Sequence, residues 1–217
     1  WSRWRALPDM KDALRVIRSA IGNLWDRFPL VIGCSLTWLV MAALIIPGPP
    51  ATLALFDVAE RLARGDHLLE YRDYLRAVRA RFGLGWRWAA ICGPVLALLL
   101  IDILVAPQMF SSYVAPPLQM FFIGALALWI VINWYALAFL FQQQELSVRQ
   151  ALRNGTILLL QHPLFALVLS LVTALLLWLG MVLLLVNLFF GPMLMALIGT
   201  HAVLNRLAPL RAGQPAN

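Results

Sequence analysis

The distribution of charged residues constrains this chain more than any other feature. Its 217 residues include four long runs without Asp, Glu, Lys or Arg: 28–56, 88–101, 103–144 and 154–205. A helix that crosses a bilayer needs about 20 apolar residues, and a charge at the bilayer centre costs at least about 2.5 kcal/mol. The uncharged runs therefore predict several membrane-embedded helices.

Composition excludes the main classes of soluble protein. Hydrophobic residues make up 62% of the chain and charged residues 12%, against about 45–50% and about 25% in ordinary globular domains. Soluble enzymes, disulfide scaffolds, disordered regulators and nucleic-acid-binding domains all need more polar surface. The net charge of +7 does not indicate a nucleic-acid partner, because all 17 Lys and Arg fall in four blocks outside the uncharged runs. Such blocks mark the cytoplasmic side of membrane spans.

The first two basic blocks predict how the first uncharged run folds. Residues 1–28 and 61–87 are both basic, so the positive-inside rule favours the cytoplasmic side for both. Residues 29–63 are therefore predicted to form a helical hairpin with a short second helix. The turn is predicted at four residues: Pro47, Gly48, Pro49 and Pro50. The alternative is a single crossing by this segment, which gives five spans and an N-terminus on the outside.

The prediction as a whole is an all-α fold, a polytopic transmembrane helix bundle with six embedded helices and additional interfacial amphipathic helices. The whole chain, 1–217, is predicted to be a single membrane domain. Residues 86–205 form its four-helix membrane bundle, and the last uncharged run contains two of these helices, near 157–179 and 183–204. Residues 206–217 are predicted to be a cytoplasmic tail.

Two basic segments are predicted to lie at the membrane interface. Residues 1–28 form a basic N-terminal segment, and residues 64–85 form a cytoplasmic amphipathic linker helix. In the linker, five apolar residues recur at helical spacing: Tyr71, Tyr74, Leu75, Val78 and Phe82. Another face has Arg72, Arg76 and Arg79, which indicates binding to anionic lipids at the cytoplasmic leaflet. The alternatives are a solvated face and a docking face for a partner.

Polar side chains inside the spans are the candidate functional groups, because burying them in lipid is costly. Asp102 and Asn187 are predicted at comparable depths near the outer ends of two helices, where they could share a hydrogen bond. Asn133 is predicted to make an interhelical hydrogen bond. For Asp102 and Asn187 the alternatives are a satisfied helix-packing contact near the outer interface and a proton or substrate site.

Two histidines are weaker candidates. His162 and His201 are predicted near the cytoplasmic ends of adjacent spans, where a pair of imidazoles could bind a metal or haem. Two ligands are an incomplete metal set, and no Cys or carboxylate is predicted at matching depth. The sequence also lacks a phosphate-binding Gly-rich loop, His-Glu-x-x-His, Gly-x-Ser-x-Gly and Cys-x-x-Cys. We therefore predict no catalytic residue, no metal site, no cofactor and no enzymatic activity.

Several local motifs together resemble a known family. They are Asn23-Leu24-Trp25, the run from Pro47 to Leu55, Arg61-Leu62-Ala63-Arg64-Gly65-Asp66, the run from Glu145 to Ile157, and His162-Pro163. With these motifs, residues 20–207 resemble the bacterial YesL-like family of small integral membrane proteins. The turn departs from the family pattern, since Pro-Gly-Pro-Pro replaces a version that contains Thr. The resemblance implies no established catalytic activity and an accessory role beside ABC-type sugar-uptake systems.

The sequence thus predicts a non-catalytic accessory or scaffold subunit of a larger membrane complex, with an association with ABC-type carbohydrate uptake implied by the resemblance. The alternatives are a small membrane transporter or channel, and a cofactor-bearing subunit of a respiratory or photosynthetic complex. The predicted location is the bacterial inner membrane, with multiple passes and both termini cytoplasmic. The predicted partners are the bilayer and other membrane subunits or a second copy.

Overall fold

The computed structural model describes the backbone of residues 6–66, 68–111, 113–143, 145–161, 163–182 and 184–212. All regular secondary structure in these ranges is α-helical, which confirms the predicted all-α class. The helices, in chain order, are α1 (Ala6–Asp26), α2 (Phe28–Ala43), α3 (Gly48–Ala63), α4 (Tyr71–Ala80), α5 (Phe82–Met109), α6 (Ala115–Leu140), α7 (Val148–Gln161), α8 (Pro163–Val182) and α9 (Leu184–Ala212).

Three of the described helices are long and apolar enough to cross a membrane: α5, α6 and the Leu188–Ala208 part of α9. Two helix pairs pass the same test together, α1 with α2 and α7 with α8, but each pair is bent by more than 40°. The described part of the chain therefore has the helices of a multi-pass membrane protein, with three candidate spans, or up to five if each bent pair is one span. Six embedded helices stay a prediction, because α3 has only 16 residues.

The turn between α2 and α3 lies earlier in the chain than predicted. It comprises residues 44–47, whereas Gly48, Pro49 and Pro50 already belong to the first turn of α3. Proline is tolerated there because the first N–H groups of a helix have no intrahelical partner. Within the turn, Ile45 has a left-handed φ of 61°, a strained conformation for a β-branched residue. Leu44, Ile45 and Ile46 are all exposed, so the turn presents an aliphatic tip.

Helix α3 is short but largely enclosed by protein. Eleven of its 16 residues are buried, and it packs against α2, α4, α5 and α9. Ala51, Ala54 and Ala59 are fully buried, and small side chains of this kind let neighbouring helices approach closely. The core of the protein is therefore built around α3.

The last uncharged run is interrupted at a position that differs from the prediction. A helix was expected near 157–179, but α7 ends at Gln161 and α8 begins at Pro163. The two helices are bent by more than 40°, and Pro163, the first residue of α8, has no N–H to donate to a continuous helix. The second predicted helix, 183–204, corresponds to α9, which continues to Ala212.

The linker helix packs on protein along part of its apolar stripe. In α4, Tyr74 and Val78 are buried, and this helix packs against α3. The Tyr74 hydroxyl donates to the carbonyl oxygen of Ala51 at 3.4 Å. Burial raises the pKa of the Tyr74 phenol, which keeps it protonated as a donor. Tyr71 and Phe82, at the two ends of the predicted stripe, stay exposed.

The basic N-terminal segment is also held by the bundle. Helix α1 packs against α8 and α9 through five buried side chains: Ala13, Val16, Ile17, Ala20 and Leu24. A second set of apolar residues on α1, Leu14, Ile21 and Trp25, is exposed. The helix therefore has one apolar face for the protein and another that is free to contact the membrane interface.

Glycines allow several helix crossings to be very close. A Cβ atom at Gly85 of α5 would lie 2.6 Å from the Cα of Pro50 in α3. A Cβ atom at Gly155 of α7 would lie 2.9 Å from the backbone nitrogen of Ala136 in α6. Both distances are shorter than van der Waals contact and involve backbone atoms, so these crossings require glycine.

We expect Gly85→Ala to destabilise the protein, because its methyl group would force α5 away from α3. Overpacking of this kind typically costs about 1–3 kcal/mol. The matched control is Gly83→Ala on the same helix, where a Cβ would meet no heavy atom within 4 Å. Thermal inactivation of the monodisperse size-exclusion peak in one detergent measures both. Equal midpoints for the two variants would contradict the close crossing.

Candidate functional site

A cavity of about 430 Å³ lies among α2, α3, α5, α6 and α9. This size is within the range of pockets that hold small organic molecules. Four tryptophans line it: Trp38, Trp88, Trp129 and Trp134. The other lining residues are mostly aliphatic or small, and none is charged: Thr52, Leu55, Phe56, Ala89, Cys92, Gly93, Leu96, Ile130, Asn133, Leu137, Pro192 and Met195.

Hydrogen bonds fix two of the indoles in the wall. Nε1 of Trp38 in α2 donates to Oγ1 of Thr52 in α3 at 3.0 Å, and this hydroxyl donates to the carbonyl oxygen of Gly48 at 3.0 Å. Nε1 of Trp134 in α6 donates to the carbonyl oxygen of Met195 in α9 at 2.9 Å. These bonds link facing helices through the cavity wall, so its shape is set by the helix packing itself.

Two polar atoms in this wall lack partners within the described part of the chain. They are Nε1 of Trp88 and Oδ1 of Asn133, and both are buried. A buried donor or acceptor without a partner costs about 1–3 kcal/mol. The cavity has no charged group and no nucleophile paired with a base among its lining residues. It is therefore suited to holding a mainly apolar molecule that offers a polar group to Trp88 and Asn133.

Asn133, one of the three predicted intramembrane candidates, lines this cavity, but its bonding differs from the prediction. Its Nδ2 donates to the carbonyl oxygen of Trp129 at 2.9 Å, one turn earlier on the same helix. The predicted interhelical hydrogen bond is instead made by the neighbouring Trp134. An amide that bonds its own helix is satisfied locally and adds no link between helices.

Asp102 lies far from this cavity along α5. Its side chain is half-buried, and it makes no hydrogen bond or ion pair with any described residue. The side chain of Asn187, its predicted partner, lies outside the described residues. Near this level, Nε2 of Gln119 in α6 donates to the carbonyl oxygen of Ile103 at 3.2 Å, which joins the two helices.

His201 takes part in a contact among three helices. Asn23 Nδ2 in α1 lies 3.0 Å from His201 Nε2 in α9, and the same nitrogen lies 3.4 Å from the carbonyl oxygen of Leu62 in α3. A neutral ring that accepts this bond at Nε2 keeps only Nδ1 for a ligand. His162 lies outside the described residues. No group of three or more His, Cys, Asp and Glu able to hold a metal ion occurs in the part of the chain that the structure describes.

The three arginines of the predicted basic face are all exposed on α4. Arg76 pairs with Asp73 at 2.7 Å, whereas Arg72 and Arg79 make no ion pair or hydrogen bond with a described residue. The face thus keeps two free cationic side chains. An exposed pair such as Arg76 with Asp73 contributes about 0.2–1 kcal/mol, so it does not fix the helix in place.

The charges of α3 are paired at the end of the helix nearest α4. Arg81 contacts Asp57 at 3.3 Å and also lies over the ring of Phe141. Glu60 pairs with Arg64, whose Nη2 donates to Oε1 of Gln142 at 3.0 Å. These contacts join α3 to residues that directly follow α6, and they explain how an embedded helix tolerates carboxylates.

Comparison of the chain with protein-family models, with curated proteins and with solved structures finds no significant match.

Several tryptophans line the cavity, a role that the predicted spans do not indicate. Trp88 flanks a predicted span, a position typical of an interface anchor, but it lines the cavity. Trp25 and Trp86 are exposed, as expected of anchors. The position of a tryptophan in its helix could indicate such a role, because Trp38 and Trp129 lie inside apolar helices and not at their ends. An indole far from an interface needs a partner for its N–H, and this indicates a packing or binding role.

We expect Asn133→Leu to leave the protein equally stable or to stabilise it, because the change removes a buried acceptor without a described partner and breaks no link between helices. Trp134→Phe should lower the stability by about 1 kcal/mol or more, because it removes the bond to Met195. Thermal midpoints in one detergent measure both variants. A larger loss for Asn133→Leu than for Trp134→Phe would show that Asn133 has a partner.

Proposed function

We propose that the chain is a non-catalytic accessory or scaffold subunit of a larger complex in the bacterial inner membrane. Membership of the YesL-like family, and with it an association with ABC-type carbohydrate uptake, belongs to this proposal and rests on the sequence resemblance. The support from the fold is a large apolar surface that no other part of the described chain covers. In a membrane either lipid or a partner subunit can cover such a surface, and a polar group within it favours a partner.

The observation that supports this most directly is the outer arm, which consists of residues 95–105 of α5 and 116–130 of α6. No residue of the outer arm is buried. Only 11% of the most apolar stretch of α5 is buried, against 50% in α9. Apart from Ala115 at its first position, the buried residues of α6 all lie at Trp134 or after it. The two helices of the arm therefore contact mainly each other.

Asp102 distinguishes the outer arm from a surface that only lipid would cover. A carboxyl group in a spanning helix is costly and normally faces a polar partner. Among the described residues Asp102 has none. A polar group on a neighbouring subunit would satisfy it, and an interhelical hydrogen bond in a membrane contributes about 0.6 kcal/mol on average. The proposal therefore places the partner at the level of Asp102, in the part of the outer arm beyond Leu98.

The two alternative functions have less support. A transporter of polar solutes needs a polar path near the bilayer midplane, whereas the cavity among the helices has no charged lining residue. A polar solute there would lose its hydration without compensation. A cofactor-bearing subunit would depend on the pair His162 and His201, and the Nε2 of His201 already contacts Asn23.

We expect Leu104→Trp on the outer arm to reduce the amount of partner that co-purifies with the protein in mild detergent, because a bulky side chain prevents close helix packing. The matched control is Leu171→Trp on α8. The two leucines are similarly exposed, at 68% and 66%. Quantitative mass spectrometry of the co-purified proteins is the measurement. A wild-type protein that purifies alone, or equal losses in both variants, would contradict the proposal.

The proposed topology has its own test. Leu68 lies in the loop between α3 and α4, and Tyr113 lies in the loop between α5 and α6. Their side chains are 89% and 93% exposed. With both native cysteines buried, a membrane-impermeant maleimide should label Tyr113→Cys in intact cells. It should label Leu68→Cys only after permeabilisation. Labelling of Leu68→Cys in intact cells would mean that the loop after α3 is outside and that the orientation is reversed.

A further inference from the structure

We propose that a pocket between α5 and the start of α7 binds the phosphate group of an anionic phospholipid. The pocket has a volume of about 540 Å³ and lies apart from the tryptophan-lined cavity. Arg87 from α5 and Arg149 from α7 both line it. The remaining lining residues are Leu84, Ala90, Ile91, Leu146, Ser147 and Val148.

The two arginines make this pocket suitable for an anion. Both are exposed, and neither forms an ion pair or hydrogen bond with any described residue. No acidic residue lines the pocket, and Glu145, nearby in the loop before α7, has no ion pair with either guanidinium. Two like charges that share a pocket repel each other, and an anion between them removes that repulsion.

Phosphate fits this arrangement better than a carboxylate does, because its several oxygens can accept bonds from two planar guanidinium groups at once. The pocket also includes the beginning of α7, where Ser147 precedes the helix and its Oγ accepts a bond from the backbone N–H of Gln150 at 3.5 Å. The positive end of the helix dipole adds to the attraction for an anion. The arginines remain the main determinants.

The apolar part of the pocket indicates a phospholipid and not free phosphate. Five of the eight lining residues are apolar, and Ile91, Val95 and Leu98 continue as an exposed stripe along α5. From Arg87 to Leu98 the helix rises about 16 Å. This matches the half-thickness of a bilayer core of about 30 Å. An acyl chain can therefore follow α5 to the midplane while its phosphate contacts both arginines.

The proposed orientation of the chain indicates which leaflet supplies the lipid. The positive-inside rule puts both arginines on the cytoplasmic side, the leaflet in which basic pockets between helices bind anionic headgroups. Phosphatidylglycerol has one phosphodiester and a net negative charge, which makes it a suitable probe. Phosphatidylcholine has the same phosphate but a cationic headgroup, so it tests the charge requirement.

The test measures lipid binding to the purified, delipidated full chain by native mass spectrometry, with phosphatidylglycerol, phosphatidylcholine or inorganic phosphate as the probe. For Arg87→Gln/Arg149→Gln we expect an affinity for phosphatidylglycerol at least tenfold weaker than that of the wild type. The charge-matched comparison is Arg72→Gln/Arg79→Gln, which removes two exposed arginines of the α4 face that do not line this pocket. We expect it to lose less affinity than the pocket variant, because it removes the same charge but leaves both arginines of the pocket in place. Ile91→Asn changes no charge. It should also weaken lipid binding, because it places a polar side chain in the exposed apolar stripe that contacts the acyl chain.

Each outcome decides the proposal. A larger loss of phosphatidylglycerol binding in the pocket variant than in the α4 variant supports it. Equal losses in the two double variants would mean a general effect of surface charge, and unchanged binding in the pocket variant would mean no site. Equal affinity for phosphatidylcholine, or displacement of the lipid by inorganic phosphate with no effect of Ile91→Asn, would overturn the assignment to an anionic lipid. A matching size-exclusion profile and thermal midpoint confirm that each variant is folded.

Discussion

The burial of α3 is the constraint on which the rest of the structure depends. This helix spans about 24 Å at 1.5 Å per residue, yet most of its residues are enclosed by α2, α4, α5 and α9. Its carboxylates are confined to the last two turns, where Arg81, Arg64 and Gln142 satisfy them. Because the apolar part packs on all sides and the polar part is paired at one end, the helix can remain embedded without leaving a charge in lipid.

The crossings around α3 also determine where the protein is open. Gly85 brings α5 against the prolines that start α3, and this close contact fixes the base of α5. Farther along, α5 leaves the bundle, and the tryptophan-lined cavity fills the space between the diverging helices. The outer arm overlaps the cavity at Leu96, Trp129 and Ile130 and continues beyond it without a buried residue. The protein thus combines an apolar cavity with an uncovered apolar surface.

Much of the fold follows from the sequence, because charge-free runs must become helices in a membrane. The hairpin and the linker helix could be placed from charge and apolar spacing. The α7–α8 break was misplaced because Pro163 was read as part of a span, and the outcome depends on local backbone geometry. The apolar stripe of α4 was assigned to lipid, since spacing shows a face but not what covers it. The cavity could not be predicted, because it arises from five helices that are distant in sequence.

The exposed aliphatic tip formed by Leu44, Ile45 and Ile46 has a consequence for the surrounding lipid. A hairpin with a second helix of about 24 Å ends several ångströms short of the far surface of a hydrocarbon core about 30 Å thick. In the proposed topology its tip lies among acyl chains, and the lipids above it must bend or thin to fill the volume. Mismatch of this kind costs fractions of a kcal/mol per ångström. Helices α5 and α6, with 28 and 26 residues, are long enough for the whole core, so the mismatch is confined to the lipids around the hairpin.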